Sequence, residues 1–202
     1  ASVYSKLFSN HVEKSAAEKY EHLETGGRML IICHDAFMDD MEPFVQWKRQ
    51  LGLDVSLVPV SGAAGTTQGI KQLIQSWYNE PESLTWVILV GDKDEVPTNV
   101  GLYDGSDSDS MYAMLAGDDL YPEIFISRIS AQTNVQVQTQ VAKFLAYEQH
   151  PDLGTEGLWY GRSAGIASNE GAPTDYQRAD WLRIDLLDYS FTNVDRIYQG
   201  MG

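Results

Sequence analysis

The sequence contains only one cysteine, Cys33, and no apolar run close to the roughly 20 residues that a membrane-spanning helix needs. A single cysteine excludes an internal disulfide, although a cytosolic protein and a large secreted protein are both compatible with it. The short apolar runs exclude a membrane-spanning segment. No charged-then-apolar signal stretch follows Ala1, so we expect either a processed end or an arbitrary boundary there.

Basic residues are scarce as well. The chain has 14 Lys+Arg against 29 Asp+Glu, which gives a formal net charge of −15. Such a surface repels phosphate backbones and anionic lipids, which argues against nucleic-acid binding. It suits a secreted protein, a cation-binding protein or a cationic substrate, and simple solubility is the alternative. The hydrophobic content of 43% is ordinary for a globular protein.

The first half of the chain alternates between strand and helix patterns. Residues 29–33 form a continuous apolar run that is typical of a buried parallel strand. Apolar residues then recur at helical spacing from 41 to 51. The same order repeats, with a strand at 54–60, a helix at 66–77 and a strand at 85–90. This alternation predicts an α/β fold with a parallel sheet, flanking helices and right-handed crossovers.

The middle of the chain is richer in turns. Residues 112–115 and 124–127 are candidate short strands, and residues 134–149 have the apolar spacing of a helix. A linker is predicted at 150–154, where His and Pro precede Asp, Leu and Gly.

A second α/β unit begins after that linker. Its predicted elements are a strand at 163–167, a helix at 174–189 and a strand at 193–198. A unit this small does not cover both faces of a parallel sheet, so we expect more of it beyond Gly202. The predicted organisation is an extension at 1–25 with a short polar helix around 16–20, a first domain at 26–152 and the start of a second at 153–202.

Three acidic segments are candidates for binding a cation. Asp92 follows the third strand, at the edge where open α/β sheets place their sites. Residues 118–123 offer carboxylates and carbonyls in one short loop, and these are the groups that calcium prefers. A solvated acidic turn is the equal alternative for that loop. Asp107 and Asp109 resemble the opening of an EF-hand loop, but the later positions do not fit, which favours an ordinary acidic turn.

Catalytic motifs are hard to find in this sequence. Cys33 and His34 are neighbours on a strand, so their side chains point to opposite faces and do not form a nucleophile–base pair. Residues 62–65 lack the Lys of a P-loop. The other histidines are interpreted as surface residues: His11, His22 and His150.

Six blocks occur along about Gly26 to Tyr198. They are GRMLII at 27–32, FVQWK at 44–48, WVILVGD at 86–92, GDDLYPEIFISR at 117–128, YE at 147–148 and IASNEG at 166–171. In their order and spacing, these blocks resemble the gingipains, the cysteine peptidases of family C25.

This resemblance implies a secreted or cell-surface, calcium-stabilised cysteine endopeptidase with a caspase-like fold, which cleaves after Arg or Lys. The first catalytic subdomain would be complete and the second only begun. The family's catalytic His and Cys would lie beyond Gly202, so this chain would hold no catalytic residue and be inactive alone. The expected partners are the remainder of the catalytic domain, as a continuation of the chain or as a separate processed chain, and a peptide or protein substrate.

The resemblance also implies two sites. The calcium ligands would be Asp92, the Ala116 carbonyl, Asp119, the Tyr121 carbonyl and Glu123. The substrate-specificity residue would be Asp175, which would pair with the guanidinium of a substrate Arg. The alternative is that Asp175 only favours a helix N-terminus. A second calcium site of the family is not carried over, because Pro173 and Arg178 stand at its ligand positions.

Two other functions compete with the peptidase interpretation. A protease-like module could bind calcium or a partner without doing chemistry, and the sequence downstream would distinguish it by lacking a His-Gly segment and a later Cys. A cytosolic flavodoxin-like regulator has the same strand alternation, but it leaves the 119–123 loop and the broken second unit unexplained.

Overall fold

A computed structural model describes residues 27–81, 84–102, 105–117 and 119–200. The predicted extension at 1–25 and its helix lie outside the described residues. The chain divides into two compact units, residues 1–143 and 144–202. The predicted organisation placed this division nine residues later, after 152.

The first unit is built around a four-stranded sheet. The described strands of this unit are β1 (Arg28–Cys33), β2 (Asp54–Pro59), β3 (Leu84–Val90), β4 (Asn99–Val100), β5 (Asp107–Ser108) and β6 (Phe125–Ile129). The four strands of the sheet are parallel and lie in the order β2-β1-β3-β6. A separate antiparallel pair, β4-β5, lies in the long connection between β3 and β6.

Three helices begin in the described part of this unit, α1 (Met38–Gln50), α2 (Thr67–Tyr78) and α3 (Asn134–Gln149). Each buries part of its apolar face, such as Ile70 and Ile74 of α2, whereas Phe144 of α3 is 39% exposed. Thr66 starts α2, because its hydroxyl accepts a hydrogen bond from the Gly69 amide at 3.1 Å. The predicted parallel α/β architecture is therefore confirmed.

The core of the first unit lies against both faces of β1. Leu30, Ile31, Ile32 and Cys33 have no exposed surface. Full burial of one such aliphatic side chain stabilises the fold by about 1.5–3 kcal/mol relative to exposure. The central strand therefore contributes strongly to the stability of this unit.

One predicted strand is wrong. Residues 112–115 do not pair with any strand; Ser110–Tyr112 instead form a 3₁₀ turn. Their apolar side chains pack into the core all the same, and the Tyr112 hydroxyl donates to the Pro97 carbonyl at 2.6 Å. The apolar pattern of residues 112–115 therefore reflects burial in the core and not strand pairing.

The second unit contains α4 (Gly154–Gly157), β7 (Arg162–Ala167), α5 (Asp175–Tyr189) and β8 (Asn193–Tyr198). Strands β7 and β8 are parallel and form a two-stranded sheet. α5 packs on one face, where the Arg183 guanidinium donates to the Val194 carbonyl at 3.0 Å. No helix in the described part of the chain is long and apolar enough to cross a membrane.

Candidate functional site

The carboxyl edge of the first sheet carries Asp92. Gly91 precedes it with φ +134°, a conformation that favours glycine, and an added Cβ would lie 2.8 Å from Glu95. Asp92 accepts hydrogen bonds from the Lys93 amide at 2.9 Å and from Gln132 Nε2 at 3.0 Å. These two bonds, the Lys93 amide first, lower the pKa of Asp92. Asp92 is thus a fixed, ionised carboxylate at this edge.

Arg128 holds the same edge together from inside the sheet. Its Nε and Nη2 each donate to the Asp109 carboxylate at 2.7 Å, and its side chain is 12% exposed. Its Nη1 donates to the carbonyls of Gly91 and Val96, both at 2.8 Å. A half-buried, bidentate Arg–carboxylate pair of this kind fixes geometry strongly. Arg128 therefore anchors the segment that follows β3.

The acidic loop before β6 is closed by its own carboxylates. Glu123 Oε2 accepts from the amides of Leu115 at 2.5 Å and Ala116 at 3.1 Å. These amides, that of Leu115 foremost, lower the pKa of Glu123. Asp119 Oδ1 accepts from the Tyr121 amide at 2.9 Å. Four of the five expected calcium ligands therefore lie in one loop.

The fifth, Asp92, lies elsewhere in the unit. The Asp92 amide donates to the Ala131 carbonyl at 2.8 Å, so Asp92 lies beside Ala131, just past the carboxyl end of β6. Glu123 lies before Phe125, at the other end of β6. Phe125 and Ala131 are six residues apart, which is about 20 Å along an extended chain. Among the described residues, no three His, Cys, Asp or Glu side chains group closely enough to hold a metal ion. Asp92 is thus separated along the sheet from the other four expected ligands, and calcium binding stays a prediction.

Asp107 and Asp109, the two aspartates that resemble the opening of an EF-hand loop, are both bound by protein side chains. Asp107 accepts from Lys93 Nζ at 3.1 Å and from the Thr98 hydroxyl at 2.9 Å, while Asp109 pairs with Arg128. The bond from Lys93, ahead of that from Thr98, lowers the pKa of Asp107. Sequence reasoning missed Arg128 altogether. The available signal was a charged residue inside a short, mostly apolar strand, FISRI at 125–129.

In the second unit, Asp175 begins α5 just beyond the carboxyl end of β7. Its Oδ2 accepts from the Ser168 hydroxyl at 2.7 Å. Its Oδ1 lies 3.5 Å from the Arg178 guanidinium, one turn along the helix. The carboxylate is half-exposed, and it lies at the edge where parallel α/β sheets place their ligands. This position permits contact with a ligand and also satisfies the helix N-terminus.

The single cysteine is unsuited to nucleophilic chemistry. Cys33 is fully buried, and burial, ahead of the charges of Asp35 and Asp40, raises the pKa of its thiol to about 12. The thiol donates to the His34 carbonyl at 3.3 Å, while His34 Nδ1 accepts from the Ala36 amide at 3.3 Å. A thiol that stays protonated and has no base beside it is a core residue.

Comparison with known proteins decides the family. The model of peptidase family C25 matches residues 22–201. The chain belongs to peptidase family C25. It is 31% identical over 207 residues to gingipain R2 of Porphyromonas gingivalis strain W83, covering 97% of the chain and 27% of that relative.

Two solved structures share the fold. The crystal structure of the Arg-specific cysteine proteinase gingipain R matches with a TM-score of 0.77 and 30% identity, over 90% of this chain and 43% of that one. The complex of pro- and mature domains from P. gingivalis matches with a TM-score of 0.77 and 32% identity, over 87% and 43%. The caspase-like fold expected from the resemblance is thereby confirmed. The chain spans less than half the length of these relatives.

Proposed function

We propose that this chain is the front part of the catalytic domain of a secreted or cell-surface cysteine endopeptidase that cleaves after Arg. The observation that carries the proposal is the likeness to an Arg-specific proteinase over nearly the whole chain, in sequence and in fold. The chain would supply the first subdomain and the opening strands of the second. A peptide or protein is then the substrate, and the remainder of the domain is the main partner.

The nucleophile is proposed to come from outside this chain. Cys33 is buried with a raised pKa, so it does not offer a thiolate at neutral pH. In the complete enzyme, an activated thiolate attacks the scissile carbonyl, and a histidine takes and returns the proton. The role of the first unit is then to provide a rigid sheet edge, which Arg128 and Asp109 hold together.

Asp175 is proposed to bind the substrate's Arg side chain. A carboxylate at a helix N-terminus, oriented by Ser168, is placed to accept two parallel hydrogen bonds from a guanidinium. Lys presents a point charge and does not reproduce that geometry. The nearby Arg178 already touches one oxygen of Asp175, so substrate would displace an exposed contact rather than a buried one.

The test uses the full-length protein with peptide substrates that differ only in Arg or Lys before the cleaved bond. We expect Asp175→Ala to lower kcat/KM for the Arg substrate by about 100-fold or more, since loss of a charged binding partner costs about 2–5 kcal/mol. Asp188→Ala, which removes an exposed carboxylate from the same helix, is the matched control and should change little. Unchanged Arg cleavage by the Asp175 variant would remove the specificity assignment.

A complete lack of thiol-dependent hydrolysis by the full-length protein would overturn the enzyme proposal. That result would favour the alternative of a protease-like binding module. Failure of the specificity assignment is distinguishable from failure of the enzyme proposal, because an enzyme with a different specificity would still show thiol-dependent hydrolysis.

A further inference from the structure

Asp175 is held from two sides, and the two contacts differ in kind. Its Oδ2 accepts a hydrogen bond from the Ser168 hydroxyl at 2.7 Å, and this contact is part-buried. Its Oδ1 lies 3.5 Å from Nη1 of Arg178, where the Asp175 and Arg178 side chains are 46% and 55% exposed. One oxygen is thus fixed within the unit, and the other meets a cation at the surface.

The loop that carries Asp175 is closed by further hydrogen bonds. The Ser168 hydroxyl also accepts from the Glu170 amide at 3.2 Å. The Asp175 amide donates to the Glu170 carbonyl at 2.9 Å. The Tyr176 amide donates to the Ser168 carbonyl at 3.2 Å. These bonds tie the carboxyl end of β7 to the start of α5, so the position of the Asp175 carboxylate does not depend on Arg178.

Arg178 carries the same chemical group as the substrate side chain proposed for this site. A guanidinium offers a carboxylate the same N–H donors whether it belongs to the protein or to a peptide. The Arg178 backbone is fixed in the first turn of α5, where its amide donates to the Thr174 carbonyl at 3.1 Å. Its side chain, by contrast, is long, has several rotatable bonds and is half-exposed. Exposed ion pairs are weak, so a bound peptide displaces this side chain at small cost.

We propose that Arg178 is an internal competitor for the Arg side chain of the substrate. Its guanidinium occupies Asp175 in the free enzyme and gives way when a peptide binds. The inference rests on the proposed function of Asp175, because a competitor requires a site to compete for. Arg178 then sets how tightly the substrate binds and leaves the chemical step unchanged, which is the pattern of an interaction that acts on KM and not on kcat.

The test measures the hydrolysis of a peptide with Arg before the cleaved bond by the full-length protein. Arg178→Gln removes the charge and keeps a good helix former. We expect KM to fall about two- to fivefold, which is the strength of an exposed ion pair, while kcat stays the same. Arg196→Gln is the matched control, because Arg196 is 51% exposed and pairs with Asp180 of the same helix. This control should leave both constants unchanged.

A double variant shows whether Arg178 acts through Asp175. In the Asp175→Ala protein, Arg178→Gln should no longer raise kcat/KM, because the carboxylate that Arg178 occupies is gone. A gain that persists without Asp175 would overturn the inference, since it would show general repulsion of a cationic substrate. An unchanged or raised KM in the single Arg178→Gln protein would overturn it as well. The proposed function of Asp175 fails on a different result, which is unchanged Arg cleavage by Asp175→Ala.

Discussion

The two units bury their sheets to very different extents. In the first, the central strand β1 has four consecutive residues with no exposed surface, while Trp86 and Phe125, which stack on two neighbouring strands, are 37% and 64% exposed. In the second, one face of the two-stranded sheet is open, where the paired Ile166 and Ile197 are 79% and 56% exposed. Parallel sheets are normally covered on both faces. The central strand of the first unit meets this condition within its own unit, whereas the second unit leaves one face of its sheet open.

The largest expected effect on the free energy of unfolding comes from Arg128 in the first unit. Arg128→Ala leaves the Asp109 carboxylate without its half-buried partner and releases the carbonyls of Gly91 and Val96. We expect a loss of about 3–5 kcal/mol in the free energy of unfolding, measured by urea denaturation, because four short hydrogen bonds from a charged group are lost together. Arg162→Ala in the second unit is the control: that arginine is 61% exposed, 3.8 Å from Asp195, and should contribute less than about 1 kcal/mol. Similar losses in both variants would contradict the account.

The next effect compares two isoleucines directly. Ile32→Ala creates a cavity in a fully buried core and should cost about 2–5 kcal/mol. Ile166→Ala in the 202-residue chain should stay within about 0.5 kcal/mol, since the side chain is exposed. In the full-length protein, the cost of Ile166→Ala should rise above 1 kcal/mol, by roughly the burial of an aliphatic side chain. A neutral Ile166→Ala in that protein would mean that nothing covers the open face.

A smaller, pH-dependent effect is expected from Cys33. Its folded-state pKa is about 12, so the thiol stays protonated in the folded protein while the unfolded thiol ionises near pH 8.5. The stability from this group is fully present below the unfolded pKa and is lost as the pH rises towards the folded value. Between about pH 8.5 and pH 10 the loss should be about 2 kcal/mol. Cys33→Ala should remove this slope, and an unchanged slope would assign it to other groups.

The smallest effect concerns a helix start. Thr66→Ala removes the hydroxyl that accepts the Gly69 amide and should cost about 1 kcal/mol. Thr66→Ser keeps an oxygen at that position and serves as the control. Equal melting temperatures for Thr66→Ala and the unmodified protein would show that α2 is held by its buried face alone.

Much of the fold follows from the sequence because strong apolar patterns set the main elements. The run at 29–33 predicted β1, and the periodic positions of 134–149 predicted α3 with its observed bounds. The prediction failed at 112–115, where buried side chains belong to a turn that fills the core. A single sequence does not separate burial in a strand from burial in a loop.

The sites were less accessible to sequence reasoning. The expected ligands at 116, 119, 121 and 123 are neighbours in the chain, so grouping them needs no long-range information. The distance between Asp92 and the loop that carries them depends on the register in which β3 pairs with β6, and no local sequence pattern specifies that register. The partners of Arg128 lie up to 37 residues away in the chain. Contacts of this kind arise only from the assembled topology.

The most direct test of the account is thiol-dependent hydrolysis of an Arg peptide by the full-length protein and by its Cys33→Ala variant. We predict that both cleave the peptide and that alkylation with iodoacetamide abolishes cleavage by both, because the reactive thiol lies outside this chain. Cleavage that resists alkylation would contradict a cysteine peptidase. A folded Cys33→Ala protein without activity would show that the buried cysteine is the nucleophile after all.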